Sequence, residues 1–279
     1  NIVLVPHPTD EVAALVSSRV NIHDSDSYLL DTLTLVDLSD NSTLSVAQSE
    51  SVQIVGWVGQ KLVYVQIAAG ASTADPGRSR LMSYDYKTTS KKELARANYF
   101  NDVILVGGDI YYAPSSAYQT DPVGLFKIPA DGGSKTKLLD KEVWNIFRDS
   151  FSTLDLSVGQ EWYQYKLGDT NAVKQNQAPA NPKSRIYIAS PDGKHNLWID
   201  QRDGKGVLLD YSTDSGEDKT LQTQSGLSYP VRWLNNSTLI YRVKTDTESA
   251  DYAMSIDGGD SHKITDVYNA GGIDRWYYY

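Results

Sequence analysis

Few side chains in this 279-residue sequence could do acid–base or metal chemistry: four histidines, 35 Asp and Glu, and no cysteine. His7, His23, His195 and His262 are scattered. No His-x-x-x-His or His-Glu-x-x-His spacing brings two imidazoles onto one metal. His195 follows a turn and reads as a solvent-exposed turn residue. Without cysteine there is no thiol nucleophile, disulfide or thiolate metal site. No Gly-x-Ser-x-Gly elbow presents a serine nucleophile. Asp24-Ser25-Asp26 could touch a divalent cation, but it lacks the remaining ligands of a calcium loop and reads as a plain acidic loop. No catalytic residue, metal or cofactor is assigned.

Carboxylates leave one chemistry open, a general acid and base acting on a glycan. Asp102, Asp149, Asp155 and Asp274 lie in or beside short apolar runs. Asp155 alternates with Leu154 and Leu156, which puts it on the face opposite those leucines. The net charge of −9 argues against nucleic acid, whose phosphates demand a basic patch. The same charge suits solubility and a basic partner. No apolar run approaches the ~18 residues of a membrane helix, so no membrane insertion by this segment is expected. The chain starts at Asn1 without Met. It reads as a soluble portion of a longer protein, whose remainder would carry any address or membrane anchor.

These residues must be positioned by strands. Helical periodicity is scarce, and short apolar runs broken by turn residues recur throughout. Ser184 to Asp200, SRIYIASPDGKHNLWID, is a strand, a Ser-Pro-Asp-Gly turn and a strand. In that turn Pro presets φ, Asp bonds back to the backbone and Gly accepts φ > 0. Strand–turn–strand units of this kind also run through 1–16, 52–68, 102–113, 143–158 and 229–243. A second pattern, strand–Asp-Gly-Gly–strand, links 126–139 to 253–265, and Asp131 and Asp257 stand 126 residues apart. That is three units of ~42 residues, the period of a four-stranded propeller blade. The expected fold is an all-β six-bladed β-propeller in a single domain, 1–279, with four antiparallel strands per blade. Blades fall near 1–48, 49–98, 99–142, 143–182, 183–226 and 227–268. A β-sandwich is the alternative, but it has no reason to repeat turn chemistry at a fixed period. Gly271 to Tyr279 is a further strand, expected to pair with the N-terminal strand and close the ring. A chain that stops partway into a seventh blade is the other reading of that tail.

Ser190-Pro191-Asp192-Gly193-Lys194, between the first two strands of a blade, resembles the hallmark turn of TolB-like propellers and of the tricorn and prolyl oligopeptidase propellers. The Asp-Gly-Gly turns at 131–133 and 257–259 are similar to that superfamily's turn between third and fourth strands. Only the fifth blade carries the full form, and the first degenerates to Pro8-Thr9-Asp10-Glu11. Trp-Asp repeat endings are missing, and the Ser190-x-Asp192-Gly193 spacing departs from the sialidase Asp-box. The resemblance implies the fold and a cell-envelope setting, periplasmic or extracellular, and says little about activity.

In such a blade, connections from second to third strand share one face with the links between blades. The expected long connections are Asn21 to Asp31, Ala68 to Ser79, Ala113 to Val123 and Lys244 to Asp251, against short ones at 159–160 and 203–206. The long set holds eight acids, Asp24, Asp26, Asp31, Asp75, Asp121, Asp246, Glu248 and Asp251, against Arg78 and Lys244, with Tyr28 and Tyr118 among them. Starts of the inner strands add Asp102, Trp144, Arg185, Tyr229, Arg232 and Trp276. Loops held over a rigid scaffold are where binding concentrates. The expected function is a non-catalytic domain that binds a protein or peptide, of basic character. A glycan-active hydrolase or lyase and a structural spacer are the alternatives.

Overall fold

A computed structural model describes residues 2–23, 26–68, 77–116, 122–180, 182 and 185–267, with backbone alone for 2, 21–23, 26–29 and 229. The first blade comprises β1 (Ile2–Pro6), β2 (Val12–His23), β3 (Asp26–Asp37) and β4 (Thr43–Ser49). The second holds β5 (Ser51–Val58), β6 (Lys61–Ile67), β7 (Ser79–Asp85) and β8 (Ser90–Ala97). β9 (Phe100–Val106), β10 (Asp109–Pro114), β11 (Leu125–Pro129) and β12 (Thr136–Leu139) form the third. The fourth has β13 (Asn145–Ser150), β14 (Thr153–Val158), β15 (Glu161–Lys166) and β16 (Val173–Gln175). β17 (Ile188–Ala189), β18 (His195–Arg202), β19 (Lys205–Ser212) and β20 (Asp218–Gln224) follow. The sixth is β21 (Leu227–Trp233), β22 (Thr238–Lys244), β23 (Ser249–Ser255) and β24 (His262–Asp266). Each is a four-stranded sheet in sequence order, and the fold is a six-bladed β-propeller. The closing strand expected at Gly271 to Tyr279 lies outside the described residues.

Two compact units divide the chain: one with blades one to four, the other with blades five and six and the 6–12 turn. Within each unit, period-2 alternation sorts side chains into the cores on either side of a blade. On β10 every residue from Ile110 to Pro114 is buried. Tyr111 and Ala113 enter a core with Ile146, Leu154, Leu156 and Tyr165 of blade four. Ile110 and Tyr112 enter another with Val63, Val65 and Leu81 of blade two. Such two-sided burial explains the near-continuous apolar middle strands. Cutting Ile110 to Ala should cost about 2–5 kcal/mol, lost transfer energy plus a cavity. Fourth strands are the opposite: β24 is exposed along its whole length, and β8 (SKKELARA) is mostly exposed. Their charges discourage edge-to-edge pairing with other chains.

Turn chemistry behaves as its residues dictate. Gly193 has φ 72° and donates to Ser190 O at 2.9 Å. Ser190 Oγ donates to Asp192 Oδ1 at 2.6 Å and accepts from the His195 amide at 3.0 Å. Asp192 Oδ1 also accepts from Lys194 N at 3.1 Å, so the turn is held by its own side chains. The Ser190 hydroxyl, and after it the Lys194 amide, keep the Asp192 carboxyl below the usual carboxylate range.

Three expectations about local structure are corrected. The apolar run Arg185 to Ala189 is strand only at Ile188–Ala189. The expected long connection at Asn21 to Asp31 is strand pairing instead, since β2 runs to His23 and β3 starts at Asp26. The one expected at Lys244 to Asp251 shrinks to 245–248, closed by Thr245 N donating to Glu248 O at 2.7 Å. Cross-strand bonding continues as long as both chains stay extended, and polar residues do not prevent it. The long second-to-third connections belong to blades two and three, at 68–78 and 115–124.

Candidate functional site

In the four-blade unit, the links between blades meet the second-to-third connections on one face. Arg78 Nη2 lies 2.9 Å from Glu50 Oε1, joining the β6–β7 connection to the β4–β5 link. Ser115 N donates to Tyr99 O at 2.9 Å, and Ser116 N to Glu142 Oε1 at 2.9 Å. Two large rings stand open there. Trp144 is 57% exposed and Tyr99 51% exposed. Trp144 is nonetheless anchored, because its amide donates to Ser157 O at 2.8 Å. A large ring held by a fixed backbone and left in water is the raw material of a protein-binding hot spot.

Asp102 lies on β9 beside these links, and both of its oxygens are used. Oδ1 accepts from Val103 N at 2.9 Å, and Oδ2 accepts from Ile146 N at 2.6 Å. The second bond crosses from blade three to blade four. Burial pushes the carboxyl pKa up despite these two donors. Asp155 is 4% exposed on β14 and accepts from Gln164 Nε2 at 3.1 Å. Burial raises its pKa too; Gln164 opposes the shift and the Asp149 charge adds to it. Asp31 is a strand residue whose Oδ2 accepts from Val52 N at 2.9 Å.

In the two-blade unit, Arg185 precedes β17 and lays its guanidinium 4.6 Å from the centre of the Trp198 ring. Arg232 sits at the far end of β21, where Nη2 donates to Thr9 O at 2.7 Å and holds the 6–12 turn. Trp233 is fully buried and donates to Ile188 O at 2.9 Å. Asp246 is exposed in the β22–β23 turn. Glu248 beside it accepts from the Tyr252 hydroxyl at 2.5 Å and lies 3.4 Å from Lys263 Nζ. Asp251 is corrected from loop acid to buried strand residue, paired with Arg242 Nε at 2.6 Å. Asp24, Tyr118, Asp274 and Trp276, and the side chains of Asp26, Tyr28 and Tyr229, lie outside the described residues.

Sequence reasoning also missed the partner of His195. His195 is no plain turn residue: its Nδ1 lies 2.8 Å from Oδ2 of Asp210, which is 3% exposed. The only signal was an acid at the end of an apolar strand, VLLD.

No protein-family model matches this sequence, and no curated protein does. Solved structures do. The β-propeller domain of the Trilobed protease from Pyrococcus furiosus matches at TM-score 0.52 and 12% identity, over 95% of this chain and 84% of that one. Oligogalacturonate lyase from Vibrio parahaemolyticus matches at 0.53 and 11%, over 99% and 82%. Acylaminoacyl peptidase from Pyrococcus horikoshii matches at 0.55 and 14% over 96% of this chain, which spans 46% of that protein. At such identities the likeness concerns the fold alone. The chain therefore has a six-bladed β-propeller fold, similar to that of these peptidase and lyase propellers.

Proposed function

We propose that this chain is a non-catalytic propeller domain of a cell-envelope or surface protein, which binds a protein or peptide through the face where blade links and long connections meet. The observation that carries the reading is Trp144, 57% exposed on an anchored backbone, with Tyr99 51% exposed on the neighbouring link. The partner is basic. The connections of blades two and three contribute Asp75 and Asp121, and Glu50 and Glu142 lie on the adjoining links. The envelope setting rests on the resemblance to TolB-like proteins.

Oligogalacturonate lyase gives the competing reading, a glycan-active enzyme. Two of the four carboxylates named for it are committed elsewhere: Asp102 spends both oxygens on backbone amides, and Asp155 is buried against Gln164.

A partner captured from envelope extract and identified provides the test. Its association rate should fall with added salt, since exposed charges are screened beyond ~8 Å at physiological ionic strength. Neutralising Asp75 and Asp121 together should slow association, and Trp144→Ala should speed dissociation by about tenfold or more. Unchanged binding in both variants would sink the reading. So would depolymerisation of oligogalacturonate by the purified chain.

A further inference from the structure

The two-blade unit contains a pocket of about 270 Å³ at the strand ends that carry the Ser-Pro-Asp-Gly turn. Its walls come from His195 at the start of β18, the end of β19 with the turn that follows, and Ile256-Asp257 of the sixth blade. Alternation on β19 puts Asp210 on the same face as Leu208, which belongs to the core between blades five and six. A carboxylate has thus been placed where that core would otherwise continue. Burying it is costly unless its oxygens are bonded. Oδ2 is bonded, to His195 Nδ1 at 2.8 Å. Oδ1 is buried with no partner in good hydrogen-bond geometry; the Asn196 amide is a weak backbone donor to this carboxylate and lowers its pKa slightly against the effect of burial.

Three of the six other polar residues around the pocket are acidic, and two are serines, Ser212 and Ser215. Glu217, Asp218 and Asp257 line it with Asp210, and Lys219 is the one lysine or arginine among the lining residues. Lys219 is already occupied, with Nζ donating to Ile256 O at 3.0 Å. Asp218 Oδ1 accepts from Trp198 Nε1 at 2.8 Å. A His195 Nδ1–H that donates to Asp210 leaves Nε2 as an acceptor. The site therefore offers acceptors and negative charge, with a carboxylate oxygen lacking a well-placed donor. Among the described residues no three His, Asp or Glu side chains are gathered to hold a metal ion. The volume lies below the ~300 Å³ at which pockets for drug-sized ligands begin. A single alkyl chain ending in a charged amine fits these properties, its methylenes against Ile256.

We infer that this pocket binds a primary alkylammonium group, carried either on a lysine side chain of a peptide or on a free amine. It shares no residue with the face assigned to the partner above. NMR titration of the full chain tests it, following the His195 ring and the amides of 212–219. The probes are Nα-acetyl-lysine N-methylamide, butylammonium and the uncharged norleucine analogue. Both ammonium probes should shift these signals and the norleucine analogue should not. A stronger response to the lysine derivative assigns the site to a peptide, and an equal or stronger response to butylammonium assigns it to free amines. Asp210→Asn should weaken the response about tenfold or more, as loss of a charged hydrogen bond does. Glu217→Gln, at an exposed position that leaves the fold intact, should weaken it about two- to fivefold. If Asp210→Asn loses its dispersed spectrum, Glu217→Gln combined with Asp257→Asn decides the matter. Absence of shifts, equal shifts from the norleucine analogue, an unchanged response in that double variant, or a response to Ca²⁺ but to neither amine would overturn the assignment.

Discussion

Asp102 Oδ2 accepts a 2.6 Å hydrogen bond from the amide of Ile146, 44 residues later, and this carboxylate ties the first strand of blade three to that of blade four. Its other oxygen holds the Val103 amide. A side chain that was a candidate for acid–base chemistry is a structural clamp.

Replacing Asp102 by Asn should therefore destabilise the fold by about 1.5–3 kcal/mol. Asn can present one oxygen, and its NH₂ would face a second amide donor. Urea denaturation would show the loss as a lower midpoint at unchanged slope.

Burial raises the Asp155 pKa as it raises that of Asp102. Asp155, however, accepts one side-chain bond, which Asn can also accept, so its replacement should have the opposite effect. Its pKa is raised by burial first and the Asp149 charge second. A folded pKa above the unfolded one means the contribution to stability is full below the unfolded value and is lost as pH rises through the folded value. Asp155→Asn keeps an acceptor for Gln164 and removes the buried charge. It should be at least as stable as the parent near neutral pH, with the gain vanishing by about pH 4. A variant that is less stable near neutral pH would refute this.

Arg242 and Asp251 face each other across β22 and β23 in a bidentate pair, 5% and 9% exposed, at 2.6 and 2.9 Å. Arg242→Met should cost about 3–5 kcal/mol by leaving a buried carboxylate unpaired. Adding Asp251→Leu should recover much of the loss, read as the coupling term of a double-mutant cycle.

Two glycines separate backbone strain from contact. At Gly193, φ is 72° and an added Cβ would meet nothing, so Gly193→Val should cost only the left-handed strain, about 1–2 kcal/mol. Gly193→Asn should cost less. An added Cβ at Gly206 would sit 2.2 Å from Leu227 O, so Gly206→Ala must push blade six from blade five. Its thermal midpoint should fall further than that of Gly193→Val.

Local chemistry in the sequence determined the propeller. Pro191-Asp192-Gly193 makes its turn from bonds within six residues, and the alternation that sends Tyr111 and Tyr112 into different cores is a property of any extended chain. The extent of strands was less legible, because pairing of β2 with β3 continues through polar residues as readily as through apolar ones. Tertiary structure alone decided what the acids do. An acid in a strand reads as solvent-facing, yet Asp102, Asp210 and Asp251 find a backbone amide, an imidazole and a guanidinium supplied by other strands. Burial of a carboxylate depends on donors that reach it from 44, 15 and 9 residues away. The His195 pocket likewise exists only because blade six brings Ile256 and Asp257 against the turn of blade five.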